Sequence, residues 1–271
     1  MWGTFQTYYS SQTPPLASES AISWIGSIQS FLLSIGAALC GRLFDLGYSR
    51  PMIWSGAVII PAALLLTSLS GEFGQGSSNQ VYYQVLLSQG VMAGLGMGLT
   101  LVPQMATVAS YFKRKRSLAI GIVTTGGSVG GVIYPIVFRL LMAKIGFHWS
   151  TRALALIAFI GLVSASLILK QRQDIINRPV NDDNGPQGFL VRLFSALRFL
   201  KSITWGDWAY LAFIWSVFWL AMALYCPFFY IERFTIDAGI NMHGLNTTYL
   251  LSIMNFGGIF GRILSGLLAD M

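Results

Sequence analysis

Residues 73–112 contain no Asp, Glu, Lys or Arg, Lys113-Arg114-Lys115-Arg116 follow as four consecutive cations, and residues 117–138 are again uncharged. Each uncharged stretch exceeds the ~20 residues that a helix needs to cross hydrocarbon. The pattern reads as two membrane-spanning helices joined by a very short, strongly positive turn. The positive-inside rule puts that turn in the cytoplasm, which sets the side of every other loop.

Composition supports the same class. Hydrophobic residues make up 54% of the 271-residue chain and charged ones 10%, against about 25% charged in a soluble domain. The net charge of +7 comes from cations in loops between apolar segments. It therefore reports orientation and anionic headgroups of the lipid bilayer rather than nucleic acid. Cys40 and Cys226 each fall inside an apolar segment, with no disulfide framework and no metal-ligand spacing. His148 and His243 sit in separate loops, and no Ser/His/Asp or Cys/His set converges, so neither an enzyme nor a cofactor or metal is expected. The N-terminus lacks the basic start and apolar core of a signal peptide. Residues 1–9 are apolar but too short to span, and read as the end of a helix whose beginning is absent.

Seven full spans follow, at 21–44, 52–69, 81–111, 118–142, 153–169, 207–231 and 247–269, the sixth interrupted near its end by Pro227. Pro14 and Pro15 break any helix entering from the N-terminus. A Gly/Ser/Asn loop covers 71–80, a short loop holds Lys144, Gly146, His148 and Trp149, and a loop covers 232–244. Residues 170–201 are hydrophilic, with 189–200 as an amphipathic surface helix. This divides the chain into a membrane half at 1–170, a cytoplasmic linker at 171–205 and a second membrane half at 206–271. Loops on the cytoplasmic side hold twelve cations: Arg42, Arg50, Lys113 to Arg116 and six within 170–201. The opposite side has Lys144 and Arg233, with Arg139 and Arg152 near helix ends. The sequon Asn246-Thr247-Thr248 falls on that side too, close against a span.

The chain also repeats. Laying Ser27 over Ser252 matches eight of nineteen positions, ending with Gly41/Gly266, Leu43/Leu268 and Asp45/Asp270. Two halves related by a parallel repeat are the architecture of alternating-access transporters.

Arg262 is the sharpest candidate for function. It lies eight residues before Asp270, hence ~12 Å inside the helix end. A cation at that depth costs about 2.5–3.5 kcal/mol, which favours a polar cavity. The alternative is that it reaches to headgroups or a helix-end carbonyl. Asn255, two turns away on the same face, is a weaker candidate polar contact. Asp45 at a helix end, with Gly41 and Arg50, reads as a conformational latch or as simple helix-end charge. Gly90, Gly94 and Gly98 recur every fourth residue, as do Gly126/Gly130 and Gly127/Gly131, a spacing for close helix packing. Pro103 and Pro135 are candidate kinks, and Arg139 faces either the translocation path or the headgroups.

Several of these stretches resemble a known family. Gly41-Arg42-Leu43-Phe44-Asp45-Leu46-Gly47 with Arg50 resembles the loop motif between the second and third helices of major facilitator superfamily transporters. Tyr111-Phe112-Lys113-Arg114-Lys115-Arg116, Leu118-Ala119 and Gly126-Gly127-Ser128-Val129-Gly130 resemble the signature of its monocarboxylate transporter-like branch, especially the fungal members. Trp2 to Tyr9 is similar to the tail of that branch's first helix. Pro227-Phe228-Phe229-Tyr230 and Phe260-Gly261-Arg262 are similar to its seventh and eighth helices. The resemblance implies an all-α integral membrane protein with a partial twelve-helix fold. It would hold the tail of helix 1 and helices 2–8, truncated at both ends, with Gly266 and Asp270 in the second copy of the loop motif. It further implies secondary transport of a small organic anion, monocarboxylate-like and proton-coupled, or efflux of a fungal metabolite, in the plasma membrane before internal ones; the alternative is a truncated membrane protein that does not transport. Arg262 would then meet the substrate carboxylate with its guanidinium fork. Gly258 stands where animal members of the branch carry an acid, four residues before that arginine.

Overall fold

The computed structural model describes residues 2–11, 16–45, 47–70, 78–112, 114–169, 208–239 and 248–271. Pro14, Pro15, Lys113, the linker with its helix at 189–200, His243 and Asn246 lie outside the described residues, as do the side chains of Arg42, Asp45, Glu232 and Arg233. The elements are α1 (Trp2–Ser11), α2 (Glu19–Asp45), α3 (Ser49–Leu69), α4 (Ser78–Val85), a π-helical segment (Leu86–Met92), α5 (Ala93–Tyr111), α6 (Arg116–Ile168), α7 (Trp208–Asp237) and α8 (Thr248–Ala269). Among the described residues there is no strand. Glu19–Gly41, Ser49–Leu69, Asn79–Tyr111, Arg116–Ile168 and Tyr249–Ala269 are long and apolar enough to cross a membrane. In α7 the described apolar run is Leu211–Leu220.

The ends of α2 follow from particular residues. The Ser18 hydroxyl accepts from the Ala21 amide at 3.3 Å, and Glu19 in the first turn suits the positive end of the helix dipole. At the other end Gly47 takes φ 85. There the Gly47 amide donates to Phe44 O at 2.9 Å and the Tyr48 amide to Leu43 O at 3.0 Å. That is a Schellman ending, and the glycine of the Gly41–Gly47 motif supplies its left-handed residue.

Three sequence expectations are corrected. The loop expected around residues 144–149 is one residue wide. α6 runs 53 residues, and Gly146 alone leaves helical geometry, at φ 75 and ψ 175. A single residue in that glycine-only region turns one long helix into two crossings. Pro227 does not interrupt its helix, because α7 continues through it to Asp237, which also removes the first residues of the loop expected at 232–244. Pro61, Pro103 and Pro135 are likewise carried inside helices.

Helix pairing rests on small residues, because lipid tails are as apolar as leucine and provide no drive to bury one more leucine. α2 and α5 run parallel: a Cβ at Gly94 would stand 2.8 Å from Gln29 O, and one at Gly98 would stand 2.9 Å from Gly36 Cα. Their far ends, Asp45 and Tyr111, therefore finish on the same side. A buried cluster lies at the opposite end. Trp2, Phe5 and Tyr9 of α1 enter it with Ile22, Val85, Phe138 and Phe147. Phe5 meets Phe138 at 4.7 Å between centroids, and Tyr8 stacks on Phe147 at 4.5 Å. The Tyr9 hydroxyl donates to Gln89 Oε1 at 2.7 Å, both side chains buried, inside the π-helical segment. Beside it Ser88 meets Thr67 at 3.0 Å. These two contacts satisfy buried polar groups across adjacent helices, whereas Trp2 Nε1, Thr4 Oγ1 and Gln6 Oε1 of α1 are buried without a partner.

Candidate functional site

α8 lies antiparallel along the first half of α6, and its seam residues recur every three or four positions. Ser252 Oγ donates to Val132 O at 3.3 Å. Asn255 stands against Gly131, and Gly258 faces Ser128, whose hydroxyl would be 3.4 Å from an added Cβ. Arg262 Nη1 donates to Thr124 O at 2.9 Å. A Cβ at Gly121 would come within 2.6 Å of Arg262 O, and one at Gly266 within 2.8 Å of Ser117 O. These α8 positions form one face of a helix by their spacing. Glycine on both sides at the basic-loop end brings the two backbones together.

The seam ends in a cap supplied in trans. Lys115 occupies the N-cap position of α6 and makes no side-chain cap. The first amides of α6 turn instead to Asp270: the Ser117 amide donates to Oδ1 at 3.1 Å and the Leu118 amide to Oδ2 at 2.7 Å. The orphan donors and positive dipole of one helix are thus met by a carboxylate of another. The Leu118 amide in particular holds the Asp270 carboxyl below the usual carboxylate range, against some desolvation, with the Ser117 amide and the charge of Lys115 adding to it.

Between Asp270 and the middle of the seam is an open cleft of about 330 Å³ lined by Ser117, Thr124, Arg262 and Ser265 together with Gly121 and Gly266. Arg262 projects into this cleft from α8. One of its N–H groups is spent on Thr124 O, a carbonyl inside α6 rather than at a helix end. Among the described residues no acid pairs with it, so the rest of the fork remains for a ligand. The hydroxyls of Thr124 and Ser265 both bond backward to their own helices.

The other residues singled out in the sequence are less closely gathered. Asn255 turns its Nδ2 back onto Leu251 O at 2.8 Å, and sits further along the seam from the Arg262 cleft. Gly41 meets nothing within 4 Å, unlike its repeat partner Gly266, and Arg50 and Arg114 to Arg116 are exposed at the basic-loop end. Arg139 is exposed. Of the glycine pairs in α6, only Gly131 approaches another helix; Gly126 and Gly127 meet nothing within 4 Å. Sequence reasoning passed over Gly121 and named Ser128 only within the family signature, although the Gly121, Ser128, Gly131 stripe was present at helical spacing. At the far end His148 Nδ1 lies 2.6 Å from Ser68 O and Arg152 Nε donates to Ser68 Oγ at 2.8 Å, tying α6 to α3.

The described helices thus pair along a glycine-lined seam between α6 and α8, closed at one end by a carboxylate on a helix N-terminus. The Major Facilitator Superfamily model matches residues 2–271, and the chain belongs to that family of membrane transporters. It is 33% identical over 274 residues to the aspyridones efflux protein apdF of Emericella nidulans, covering 99% of this chain and 49% of that protein. It is 35% identical over 269 residues to the agnestins efflux protein AgnL12 of Paecilomyces divaricatus, covering 99% and 56%. With the MFS-type transporter pytF of Aspergillus terreus it shares 33% identity over 269 residues, covering 99% and 82%. The chain therefore spans about half the length of several curated relatives it matches.

Proposed function

We propose that this chain is part of a secondary transporter that exports a small organic metabolite by alternating access, and that Arg262 contacts an anionic group of the cargo, such as a carboxylate. The supporting observation is a guanidinium ~12 Å inside a helix end, beside a cleft, with one N–H engaged by Thr124 O and no acid opposite among the described residues. Relatives named as efflux proteins of aspyridones and agnestins favour export over uptake. With Gly258 in place of an acid, this helix offers no carboxylate to relay a proton to Arg262, so cargo binding there stands apart from any proton step. Asp270 on the α6 N-terminus, with Gly266 beneath it, is the latch that closes the basic-loop side. Asp45, Gly41 and Arg50 are its repeat counterpart in the first half. The plasma membrane is the site of action that export implies.

The test is flux of radiolabelled benzoate, a simple monocarboxylate, into proteoliposomes holding the chain, together with benzoate binding to the same preparation. Arg262→Ala and Arg262→Lys should each lower binding by about tenfold or more, the share of one lost bidentate charge-assisted contact. Binding that is unchanged in Arg262→Ala overturns the assignment.

A further inference from the structure

Three features converge on Ser117. It follows directly on Arg114-Lys115-Arg116, all of them exposed. Its amide donates to Asp270 Oδ1 at 3.1 Å, beside the Leu118 amide on Oδ2 at 2.7 Å. It is half-buried at the edge of the Arg262 cleft, and its hydroxyl is close enough to the Asp270 carboxyl to help hold it low. The transport reading makes no use of this hydroxyl.

The backbone on either side of the cations is not helical. Phe112 is extended at φ −103 and ψ 115, and Lys115, at φ −121 and ψ 48, has not yet entered α6, which starts at Arg116. Ser117 thus belongs to the first turn of that helix, whose amides find no acceptor within it. In this structure a carboxylate from α8 fills the role, so the N-terminus of α6 already holds an anion, and that anion ties the turn to the end of α8. A phosphate on Ser117 upsets this arrangement in two ways. It puts a charge of about −1.5 to −2 beside the Asp270 carboxylate, and like charges repel. It also offers the same amides a stronger acceptor on their own helix, at the positive end of the dipole and next to three cations. Both effects expel Asp270.

We propose that Ser117 is a phosphorylation site for a protein kinase with an acidic substrate groove, and that its phosphate releases Asp270 and opens the seam. Three consecutive cations before a hydroxyl complement such a groove. The positive-inside rule places them in the cytoplasm, together with the nucleoside triphosphate that the kinase consumes. In the transfer, Ser117 Oγ forms a bond to the γ-phosphorus, and the bond from that phosphorus to the oxygen bridging the β-phosphate breaks. The nucleoside diphosphate leaves with that oxygen and its electron pair, and the hydroxyl proton passes to a carboxylate base of the kinase. A kinase holds its substrate extended, so the first turn of α6 has to unwind, which it does more readily once Asp270 has left. Phosphate and open seam thus favour each other. The inference rests on the reading of Asp270 as the latch of the basic-loop side, and places that latch under the control of a kinase.

The experiment uses the full chain in lipid nanodiscs, treated with magnesium ATP and the catalytic subunit of cyclic-AMP-dependent protein kinase, with the phosphate located by mass spectrometry. Ser117 should take up phosphate, and should do so about tenfold faster or more in Asp270→Ala, the share of one lost charge-assisted hydrogen bond. A second measurement follows the seam itself. Spin labels at Ile122→Cys and Leu267→Cys, both exposed, in a chain carrying Cys226→Ser to remove the exposed thiol, should move apart on phosphorylation. In Ser117→Ala, treated in the same way, they should stay where they were. Cargo takes no part in either readout, so the result stands whether or not benzoate binds at Arg262, and a failure here leaves the cargo contact untouched. Absence of phosphate at Ser117, equal rates with and without the Asp270 carboxylate, or a phosphorylated Ser117 with unchanged label distance would each overturn the proposal.

Discussion

Gly121→Ala tests the seam directly. The new Cβ would lie 2.6 Å from Arg262 O, an obstacle of backbone that cannot rotate aside, while Gly266 Cα at 3.6 Å stays in ordinary contact. Ordinary contact starts at 3.4 Å, so α8 has to withdraw by about 0.8 Å. The bonds across this part of the seam measure 3.1 and 2.7 Å to Asp270 and 2.9 Å from Arg262. A withdrawal of that size brings all three to or beyond the range in which such bonds contribute. Overpacking of this kind costs about 1–3 kcal/mol, while alanine gains about 0.8–1.0 kcal/mol over glycine in helix propensity. The steric term wins. Gly126→Ala is the matched control, five residues along the same helix with nothing within 4 Å, and keeps only the propensity gain. Unfolding both proteins in mixed micelles with rising SDS fraction, followed by tryptophan fluorescence, should separate them by about the overpacking cost of 1–3 kcal/mol. If Gly121→Ala unfolds together with Gly126→Ala, the seam is not tight and the reasoning about it fails.

Two other outcomes follow from the same geometry. The Asp270 carboxyl is held low chiefly by the Leu118 amide, so the closed seam binds fewer protons than the open one. Its contribution is fully present above the ordinary aspartate value of about 3.9 and is lost as pH falls through the lower value of the closed state. Spin labels at Ile122→Cys and Leu267→Cys, both exposed, should therefore report a widening seam below about pH 4, and Asp270→Ala should remove that pH dependence. Gly146→Ala should lose about 1–3 kcal/mol in the SDS titration, from backbone strain alone, because φ is 75 and nothing lies within 4 Å of the added Cβ. An unchanged midpoint would show that the turn between the two crossings of α6 has another backbone solution.

Much of the fold could be read from the residues, for reasons particular to each. The cations at 113–116 marked a turn because four charges cannot lie in hydrocarbon, and Gly47 marked a helix end because its φ favours glycine. The overlay of Ser27–Asp45 on Ser252–Asp270 pointed to two related sets, and the family match across residues 2–271 agrees with the resemblance drawn from the motifs. Boundaries were less legible. Gly146 was placed in a loop of several residues, although one glycine suffices, and Pro227 was read as a break that α7 passes through. Prolines mislead here because a membrane helix can carry one without ending, which no local rule records.

The division between the two levels has a single physical origin. Hydrocarbon sets the length and charge content of each span, so the apolar segments and their order could be read from the amino-acid sequence alone, and the positive-inside rule predicts the side on which the cations rest. It does not decide which face of a span meets another helix, since lipid accepts leucine as readily as a helix does. That choice came from steric approach and hydrogen bonds in three dimensions: Gly121 beneath Arg262, Asp270 on the amides of Ser117 and Leu118, and Tyr230 on Ser23. These pairs are 141 to 207 positions apart in the chain, with Gly121–Arg262 and Ser23–Tyr230 as the limits, and only the tertiary structure brings them together.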